Sequence, residues 1–382
     1  MKVLCAILTV IFVFSPIFAA SVGAVNAPPE GIGEDARSLI LIEAESGTVL
    51  CERDADLPFP PASVTKVMSM LLVMEAIDSG KVALTDTVTV SANAANMGGS
   101  QVYLEVGEQM SVHELLKCVV VSSANDACVA LAEHIAGSEE AFVARMNERA
   151  RELNMTHTVF ENTNGLDDDT VNHVTSARDI ALMSAELITK HPTILEYSSI
   201  WMDSIRGGEF GLTNTNRLIR FYNGANGLKT GSTSRAGFCI SATAKRNGMQ
   251  LICVIMGAPT RDSRNETAKR MLDYGFASYA YESFSGGEIT EIAVTGAMES
   301  SLPLVYGDFK TVVEKQNAGK IVSSVSLPDS ISAPVKSGQQ VGCVTYTLNG
   351  EILAEVPITV GADAPRISYL QVLSRLVRAF LY

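Results

Sequence analysis

The sequence predicts an α+β protein, in which helices pack on an antiparallel sheet, followed by a small all-β domain. Three observations predict this class. Helical patterns of apolar residues fill most of the chain between about residues 63 and 190. Two apolar runs then flank Asn247-Gly248, a residue pair that favours a tight hairpin turn. From about residue 289 to residue 360, only short strand-like runs separated by turn signals remain.

The composition is that of a folded, acidic protein. At 382 residues the chain is long enough for two domains, and its 47% hydrophobic and 19% charged residues are typical of a globular chain. The formal net charge of −13, without a basic cluster, argues against nucleic acid as a partner. The sequence has no glycine pattern of a nucleotide-binding loop and no Cys/His set at metal-ligand spacing. We therefore expect no metal and no other cofactor.

Residues 1–27 have the pattern of a secretory signal peptide. Lys2 gives a positive start, residues 3–20 form an apolar core, and Val25-Asn26-Ala27 is a suitable cleavage site. The apolar run is close to the length that spans a membrane, so an uncleaved anchor is the alternative. Either reading predicts that the rest of the chain is exported.

Six cysteines follow the signal segment, and this even number permits disulfides in an exported chain. Cys118, Cys239 and Cys253, however, lie in apolar runs, as small core residues do. We therefore expect buried free thiols.

The first predicted domain covers residues 28–284 and begins with a hairpin of residues 38–43 and 48–52. Pro60-Pro61 leads into a helix that begins at Ser63 and ends near Gly80, because proline favours helix starts and glycine favours helix ends. A capping box, Ser111-x-x-Glu114, predicts the start of another helix. Further helices are predicted at about residues 124–136, 138–153, 175–190 and 264–276.

The sheet of this domain is predicted around the Asn247-Gly248 turn, with strands at residues 237–244 and 249–256. The composition shifts to Ser, Gly and Glu near residues 281–287, which we interpret as a domain boundary. Residues 285–362 then form the predicted all-β domain, a small β-sandwich.

The last predicted segment, residues 363–382, is an amphipathic helix. Apolar residues recur at helical spacing, and Arg366, Arg375 and Arg378 lie among them. The segment is too short to span a membrane, and an apolar stripe flanked by arginines suits a helix in the interface of an anionic membrane. The alternative is a helix that docks on its own domain or on a partner.

Ser63 and Lys66 are the first candidates for chemistry. On a helix, residues i and i+3 share a face, with about 5–6 Å between their Cβ atoms. A hydroxyl beside an amine can act as a nucleophile that the amine activates as a base. The same pair also arises by chance in a capped helix with a solvated lysine, so it needs partners elsewhere in the chain.

Two further motifs supply such partners. Ser123-x-Asn125 lies at the junction of two predicted helices, where a hydroxyl and a carboxamide can both face a cleft; alone it would be a helix N-cap. Lys229-Thr230-Gly231 leads into the hairpin, and a cation on an edge strand suits a ligand that carries a carboxylate. Alone, this motif would be the polar start of a strand.

In this order, the three motifs resemble those of penicillin-binding proteins and class A β-lactamases. Nearly the whole chain resembles the D-alanyl-D-alanine carboxypeptidases, which are low-molecular-weight penicillin-binding proteins. The resemblance extends to Asn164-Gly165-Leu166, to His173 and to Gly275-Phe276. It implies a penicillin-binding/β-lactamase-like transpeptidase fold, an antiparallel sheet with helices, as the form of the α+β domain.

The resemblance also implies a role for each motif residue. Ser63 is expected to be the nucleophile, Lys66 its general base, and Ser123 the relay of a proton to the leaving D-alanine. Asn125 is expected to hold the substrate amide. The other implied substrate-binding residues are Lys229, Thr230, Gly231, Thr233 and, by a looser match, Arg264. Of these, Thr230 and Thr233 are expected to hold the terminal carboxylate.

The implied function is that of a serine-type carboxypeptidase, a hydrolase of peptidoglycan biosynthesis that affects the cell wall and cell shape. It would remove the terminal D-alanine from pentapeptide stems through an acyl-enzyme on Ser63, and it would bind β-lactam antibiotics covalently. The predicted signal peptide and tail would place it on the outer face of the cytoplasmic membrane.

Lys66 can act as a base only if its pKa falls from about 10.4 toward 7, which corresponds to roughly 4 kcal/mol. Burial at a helix start, with the charge of Lys229 nearby, would lower it.

Two other functions remain open at this point. A β-lactamase shares all three motifs, and Glu152-Leu153-Asn154 superficially resembles the deacylating loop of that class. Here, however, these residues end a regular amphipathic helix, so we interpret them as a helix end. A non-catalytic cell-wall-binding protein of the same fold is the other alternative. The Ser63–Lys66 pair argues against it, because binding alone requires no nucleophile with a base beside it.

Overall fold

This computed structural model describes residues 26–168 and 170–381, and of residues 378–381 the backbone alone. The predicted signal peptide, apart from its last two residues, lies outside the described residues.

Helices and strands alternate in the first two thirds of the described chain, and strands dominate the rest. The helices are α1 (Lys66–Asp78), α2 (Ala92–Ala95), α3 (Val112–Lys117), α4 (Asn125–Ala136), α5 (Glu139–Glu152), α6 (Ala177–Lys190), α7 (Ile194–Ser198), α8 (Leu218–Phe221), α9 (Arg261–Ser278) and α10 (Tyr369–Leu381). The strands up to residue 258 are β1 (Ser38–Glu43), β2 (Val49–Arg53), β3 (Thr87–Thr89), β4 (Gln109–Ser111), β5 (Met202–Ile205), β6 (Phe210–Thr213), β7 (Ala225–Thr233), β8 (Gly237–Arg246) and β9 (Met249–Ala258). The later strands are β10 (Tyr279–Phe284), β11 (Gly287–Thr295), β12 (Ser301–Tyr306), β13 (Phe309–Glu314), β14 (Val322–Ser326), β15 (Ser330–Ser332), β16 (Gln340–Leu348) and β17 (Glu351–Val360).

The chain divides into two compact units. One contains the described residues up to Glu282 together with Lys310–Ala318, and the other contains Ser283–Phe309 and the residues from Gly319 onward. The first unit is built on a five-stranded antiparallel sheet in the order β2-β1-β9-β8-β7. In the second, six strands form a sheet in the order β14-β16-β17-β12-β11-β15. The predicted combination of an α+β domain and an all-β domain is confirmed.

Both faces of the five-stranded sheet are covered, which explains its long apolar strands. Along β9, Ile252 and Val254 belong to a core shared with α1, α4 and α6, whereas Leu251 and Cys253 belong to a second core shared with α9. A central strand buried on both faces is apolar throughout instead of alternating with polar residues. The predicted hairpin turn is confirmed at Asn247-Gly248, where both residues have positive φ, 50° and 83°.

The start of the first long helix differs from the prediction. Ser63 lies in a 3₁₀ turn, Ala62–Thr65, and α1 begins only at Lys66. The backbone N–H of Lys66 donates to Ser63 O and Val64 O, so the chain is wound more tightly here than in an α-helix. The predicted start of the last helix of this unit was also too late. Thr260 caps α9, so the helix begins at Arg261 and not at residue 264.

The helix start predicted at Ser111 is confirmed, with Ser111 as the N-cap of α3. The Ser111 hydroxyl accepts a hydrogen bond from the N–H of Glu114, at 3.2 Å. The interpretation of Glu152 as a helix end is also confirmed, since α5 ends there. The pattern did not predict the two-stranded antiparallel pairs β3–β4 and β5–β6.

The six cysteines from Cys51 to Cys343 are free thiols, and five of them are buried. Within the part of the chain that the structure describes, no helix combines the length and hydrophobicity needed to cross a membrane.

Candidate active site

The turn that carries Ser63 places its hydroxyl beside the amine of Lys66. The two atoms, Ser63 Oγ and Lys66 Nζ, are 2.9 Å apart. The Lys66 side chain is completely buried, whereas Ser63 lines an open cleft. The nucleophile and base predicted from the sequence are therefore in hydrogen-bond contact, with the base on the protein side and the nucleophile on the solvent side.

Two fixed acceptors orient the Lys66 amine. Its Nζ lies 2.8 Å from the backbone oxygen of Asn164 and 2.6 Å from Asn125 Oδ1. The orientation of the Asn125 carboxamide is set by its other end, where Nδ2 donates to Gly98 O at 2.7 Å. A neutral amine has two N–H donors and one lone pair. If both donors go to these acceptors, the lone pair faces Ser63 Oγ.

Burial lowers the pKa of Lys66 to about 8, and the charge of Asp126 opposes part of this shift. A substantial fraction of the amine is then neutral near neutral pH, as a general base requires.

Ser123 and Lys229 form the opposite wall. Ser123 occupies the left-handed region, with φ of 63°, in the connection between the turn Cys118–Ser122 and α4. A non-glycine residue is strained there, and such strain is found at functional sites. Lys229 Nζ donates to Ser123 Oγ at 2.7 Å and to Thr230 O at 2.8 Å. The hydroxyl of Ser123 is therefore held by the buried Lys229 amine, and Ser123 lines the cleft.

The Lys229 amine is as deeply buried as that of Lys66. Burial first, and then the charges of Lys66 and Arg264, lower the pKa of Lys229 well below its usual value. An anionic ligand would reverse this shift, because a carboxylate stabilises the protonated amine.

Gly231 allows the edge strand β7 to approach the nucleophile. A Cβ atom at this position would lie 2.8 Å from both Pro61 O and the backbone nitrogen of Ser63. Only glycine fits this close approach, so the Ser63 turn packs directly on the strand. The strand is the last one of its sheet, which leaves one row of its backbone groups available to a ligand.

The cleft has a volume of about 560 Å³, within the range of small-molecule sites. Five residues expected at the site line it: Ser63, Ser123, Thr230, Gly231 and Arg264. Lys66, Asn125 and Lys229 lie behind this surface and reach it through their hydrogen bonds. Thr233 is not part of the lining, because its hydroxyl donates to the carboxylate of Asp167. Arg264, the loosest match in the sequence, is buried in the wall, with 3% of its surface exposed.

The structure adds residues for which the sequence had indicated no role. The segment with Asn164 and Gly165 supplies the carbonyl that holds Lys66, and it packs tightly on the Ser63 turn. A Cβ atom at Gly165 would lie 1.9 Å from Ala62 O. The motif Asn164-Gly165-Leu166 was visible, but the function of a backbone carbonyl has no side-chain signature.

His173 contacts the turn that carries Ser63 through Thr65. Its Nδ1 accepts from the N–H of Glu161 at 3.0 Å, so its Nε2 carries the proton and donates to Thr65 Oγ1 at 2.8 Å. The Thr65 hydroxyl donates in turn to Ala62 O at 2.9 Å. Burial lowers the pKa of His173 to about 4, which keeps the ring neutral. The histidine thus helps to position the turn that carries Ser63.

Among the described residues, no group of three or more His, Cys, Asp and Glu side chains could hold a metal ion.

Comparisons with known proteins agree with this geometry. A family model described as D-alanyl-D-alanine carboxypeptidase matches residues 24–260, and one described as penicillin-binding protein 5, C-terminal domain, matches residues 283–366. D-alanyl-D-alanine carboxypeptidase DacF of Bacillus subtilis is 38% identical over 351 residues, which are 90% of this chain and 90% of the relative. DacC of Escherichia coli is 34% identical over 369 residues, or 92% and 88% of the two chains.

Solved structures show the same fold. Penicillin-binding protein 5 of Haemophilus influenzae superposes with a TM-score of 0.78 at 32% identity, covering 89% of this chain and 100% of that one. Penicillin-binding protein D2 of Listeria monocytogenes in its ampicillin-bound form superposes with a TM-score of 0.59 at 31% identity, covering 65% and 100%. The expected penicillin-binding fold is confirmed, and the chain belongs to the D-alanyl-D-alanine carboxypeptidase family of low-molecular-weight penicillin-binding proteins.

Proposed function

We propose that this chain removes the terminal D-alanine from peptidoglycan pentapeptide stems through an acyl-enzyme on Ser63. The observation that carries the proposal is the position of the buried Lys66 amine, which has fixed acceptors on two sides and Ser63 Oγ on the third. Family membership supports the reaction class, a serine D-alanyl-D-alanine carboxypeptidase.

In the acylation step, neutral Lys66 takes the hydroxyl proton while Ser63 Oγ attacks the carbonyl carbon of the penultimate D-alanine. The resulting oxyanion would be held by the backbone N–H groups of Ser63 and of a residue on β7, which pack against each other at Gly231. Such donors cost no reorganisation in the transition state, because the sheet already fixes them.

The leaving amine of D-alanine requires a proton when the peptide bond breaks. Ser123 Oγ lines the cleft and accepts a hydrogen bond from Lys229, so it can pass a proton to that nitrogen. Asn125 would hold the substrate amide, with its Oδ1 shared between Lys66 and the substrate. The proton that Lys66 took from Ser63 replaces the one that Ser123 gives up, which returns Lys66 to its neutral form. Water then attacks the ester carbonyl, Lys66 takes a proton from this water and passes it to Ser63 Oγ as the ester bond breaks, and the shortened stem leaves.

The substrate carboxylate would bind between Lys229 and Thr230. The hydroxyl of Thr230 donates to Thr215 Oγ1 at 2.8 Å, and both residues line the cleft. Carboxylate binding would return Lys229 to its cationic form, and this charge would lower the pKa of Lys66 further. Recognition of the terminal carboxylate would thus help to activate the base. Thr233 would contribute only after its hydroxyl leaves Asp167.

The same groups would bind β-lactam antibiotics. Ring opening by Ser63 leaves an acyl-enzyme, as with the peptide, but the leaving nitrogen stays tethered in the cleft. Relatives of this fold have been solved in ampicillin-bound and cefotaxime-bound forms. We expect a stable covalent adduct on Ser63.

The arrangement of domains is part of this proposal. Residues 28–284 would form the catalytic domain and residues 285–362 the β domain, after a signal peptide of residues 1–27. Residues 363–382 would attach the protein to the outer face of the cytoplasmic membrane. Along α10, Tyr369 and Leu370 have 81% and 76% of their surface exposed, and Leu373 has 47%. Exposed apolar residues on an amphipathic helix with arginines suit an anionic membrane surface.

Three readings can be separated with the purified full chain. D-alanine release from a pentapeptide ending in D-Ala-D-Ala, labelling by fluorescent penicillin and hydrolysis of penicillin are measured side by side. A carboxypeptidase releases D-alanine and retains the label. A β-lactamase hydrolyses penicillin with rapid turnover. A wall-binding protein gives neither release nor label, and that result would refute the proposal.

A further inference from the structure

The lining of the cleft includes residues to which the proposed hydrolysis of D-Ala-D-Ala assigns no role. They are two arginines, Arg217 and Arg261, and two aromatic residues, Trp201 and Phe221. The methyl side chain of a leaving D-alanine carries no group that could pair with these arginines.

This region carries an excess of positive charge. Arg217, Arg261 and Arg264 all line the cavity, and none of the three forms an ion pair with another described residue. Arg264 is almost completely buried, and its guanidinium donates only to neutral oxygens, those of Cys239 and Asn265.

The helix that carries two of these cations makes the excess larger. Arg261 and Arg264 lie in the first four residues of the 18-residue helix α9, at the positive end of its dipole. Asp262 is the acidic residue of that turn and offsets part of the charge. Burial, followed by the charges of Arg261 and Arg217, lowers the pKa of Arg264 to about 10. Cations that repel each other around an open cavity favour an anionic ligand.

One substrate carboxylate cannot account for all of these cations. The terminal carboxylate is expected at Lys229 and Thr230, next to buried Arg264. Arg217 and Arg261 are exposed at the rim. Asp262 and Glu266 line an adjoining depression that Arg217 also lines, but neither acid forms an ion pair with Arg217 or Arg261. A second carboxylate on the leaving residue would supply a counter-charge.

Buried amide side chains hold the loop that carries Arg217. Asn214 Nδ2 donates to Ser198 O and Ile200 O, at 3.1 and 2.7 Å, and Asn214 Oδ1 accepts from the N–H of Asn216. Asn216 Nδ2 donates to Gly227 O at 2.8 Å. Asn216 Oδ1 also accepts from the N–H of Leu218 at 3.1 Å, so these buried amides hold the backbone on both sides of Arg217. The backbone that carries Arg217 is thus positioned at the rim without a ligand, which favours a preorganised site.

The aromatic residues would contact the aliphatic part of such a ligand. Trp201 and Phe221 lie edge to face with ring centroids 6.1 Å apart, and Phe221 has 64% of its surface exposed. The guanidinium of Arg220 lies 5.6 Å from both ring centroids. An apolar wall beside two cations matches a short methylene chain that ends in a carboxylate.

We propose that the cleft also accepts, in place of the leaving D-alanine, D-residues whose side chain ends in a carboxylate, with Arg217 and Arg261 as its binding residues. D-glutamate and its longer homologues are the substrate class. This inference rests on the proposed function, because the bond is broken in the same way. Ser63 Oγ replaces the leaving nitrogen at the D-alanyl carbonyl, that nitrogen departs as an amine with the transferred proton, and water then releases the acid.

The test uses the full chain and three N-acetylated peptides, which end in D-Ala-D-Ala, D-Ala-D-Glu and D-Ala-D-Gln. Release of the last residue is quantified by mass spectrometry. The glutamate and glutamine peptides differ in charge but hardly in shape. We expect kcat/KM for the glutamate peptide to exceed that for the glutamine peptide by about tenfold at low ionic strength, and the ratio to shrink in high salt.

Variants assign the effect to residues. In the double variant Arg217→Gln/Arg261→Gln, the ratio of the glutamate to the glutamine peptide should fall close to one. The control Arg151→Gln removes an exposed arginine of α5 that does not line the cavity, and it should keep the wild-type ratio. Penicillin labelling of each variant reports whether the site is folded.

The outcomes are distinguishable. If none of the three peptides is cleaved, the proposed function itself fails. If D-Ala-D-Ala is cleaved while the glutamate and glutamine peptides react equally, this inference fails and the proposed function stands. The inference would also be overturned if the folded double variant kept a high ratio of the glutamate to the glutamine peptide. Arg217 and Arg261 would then not cause the preference for the carboxylate.

Discussion

The amine of Lys66 lies 2.9 Å from the hydroxyl oxygen of Ser63, with two other acceptors already fixed around it. The distance alone is common to many serine–lysine pairs. Here Asn164 O and Asn125 Oδ1 also orient the amine. If they accept its two N–H groups, the lone pair of neutral Lys66 faces the Ser63 hydroxyl. This geometry leads to the predictions below.

Acylation should depend on pH through Lys66. Burial lowers the pKa of this amine to about 8, and only the neutral form accepts a proton. The rate of adduct formation with fluorescent penicillin should therefore rise about tenfold per unit between pH 6 and pH 7.5 and level off above about pH 8.5. Stopped-flow labelling at subsaturating penicillin measures the rate. A profile that stays flat from pH 6 to pH 9 would show that Lys66 is not the base.

Gly231→Ala should impair acylation more than folding. The added Cβ would lie 2.8 Å from Pro61 O and from the Ser63 nitrogen, so the nucleophile turn must move. A displacement near 1 Å can reduce the rate about 100-fold. The matched control is Gly211→Ala in β6, where a Cβ meets nothing within 4 Å. Penicillin acylation rates and thermal melts are compared. Equal acylation by the two variants would contradict the close packing of β7 on the turn.

His173 should make the fold sensitive to acid. The pKa of His173 is about 4 in the folded protein, below its usual value of 6.5, so the unfolded chain binds more protons in this window. Stability gained from the neutral ring is then present above about pH 6.5 and is lost as the pH falls toward 4. The melting temperature should fall between pH 7 and pH 5 in the wild type, and this fall should be smaller in His173→Asn.

The control for this experiment is His134→Asn, which replaces an exposed histidine of α4. It should retain the full acid-induced fall in melting temperature. The same fall in His173→Asn as in the wild type would mean that other groups cause it.

The terminal helix should bind anionic lipid. Full-length protein without its signal segment should sediment with vesicles that contain phosphatidylglycerol, and Leu373→Asp/Leu376→Asp should abolish this binding, because both leucines are exposed on α10. Vesicles of neutral lipid serve as the comparison that shows how much of the binding depends on lipid charge. If the double variant binds as well as the parent protein, the helix docks on protein and not on the membrane.

The side chains that meet in the cleft were easier to predict from the sequence than the backbone groups that support them. Ser63, Lys66, Ser123 and Lys229 were predicted from side-chain motifs, and the structure brings them together. The carbonyl of Asn164 could not be predicted, because a backbone acceptor has no identity in the sequence. The Ser63 turn was also predicted as α-helix, since a 3₁₀ turn and the first turn of a helix have the same pattern of residues.

The sheet shows a second limit of sequence patterns. The hairpin around Asn247-Gly248 was predictable because its turn needs two residues with positive φ. The place of β1 beside β9 was not, since pairing between distant strands depends on tertiary packing. Arg217 at the rim of the cleft was missed for the same reason, as its position follows from the buried amides of Asn214 and Asn216.

The central claim is tested most directly by D-alanine release from a pentapeptide ending in D-Ala-D-Ala, measured for the wild type and for Ser63→Ala. The wild type should release one D-alanine per stem with repeated turnover. Ser63→Ala should lose this activity by at least about a thousandfold while keeping the wild-type melting profile. Release of D-alanine by folded Ser63→Ala at a rate near that of the wild type would contradict the account.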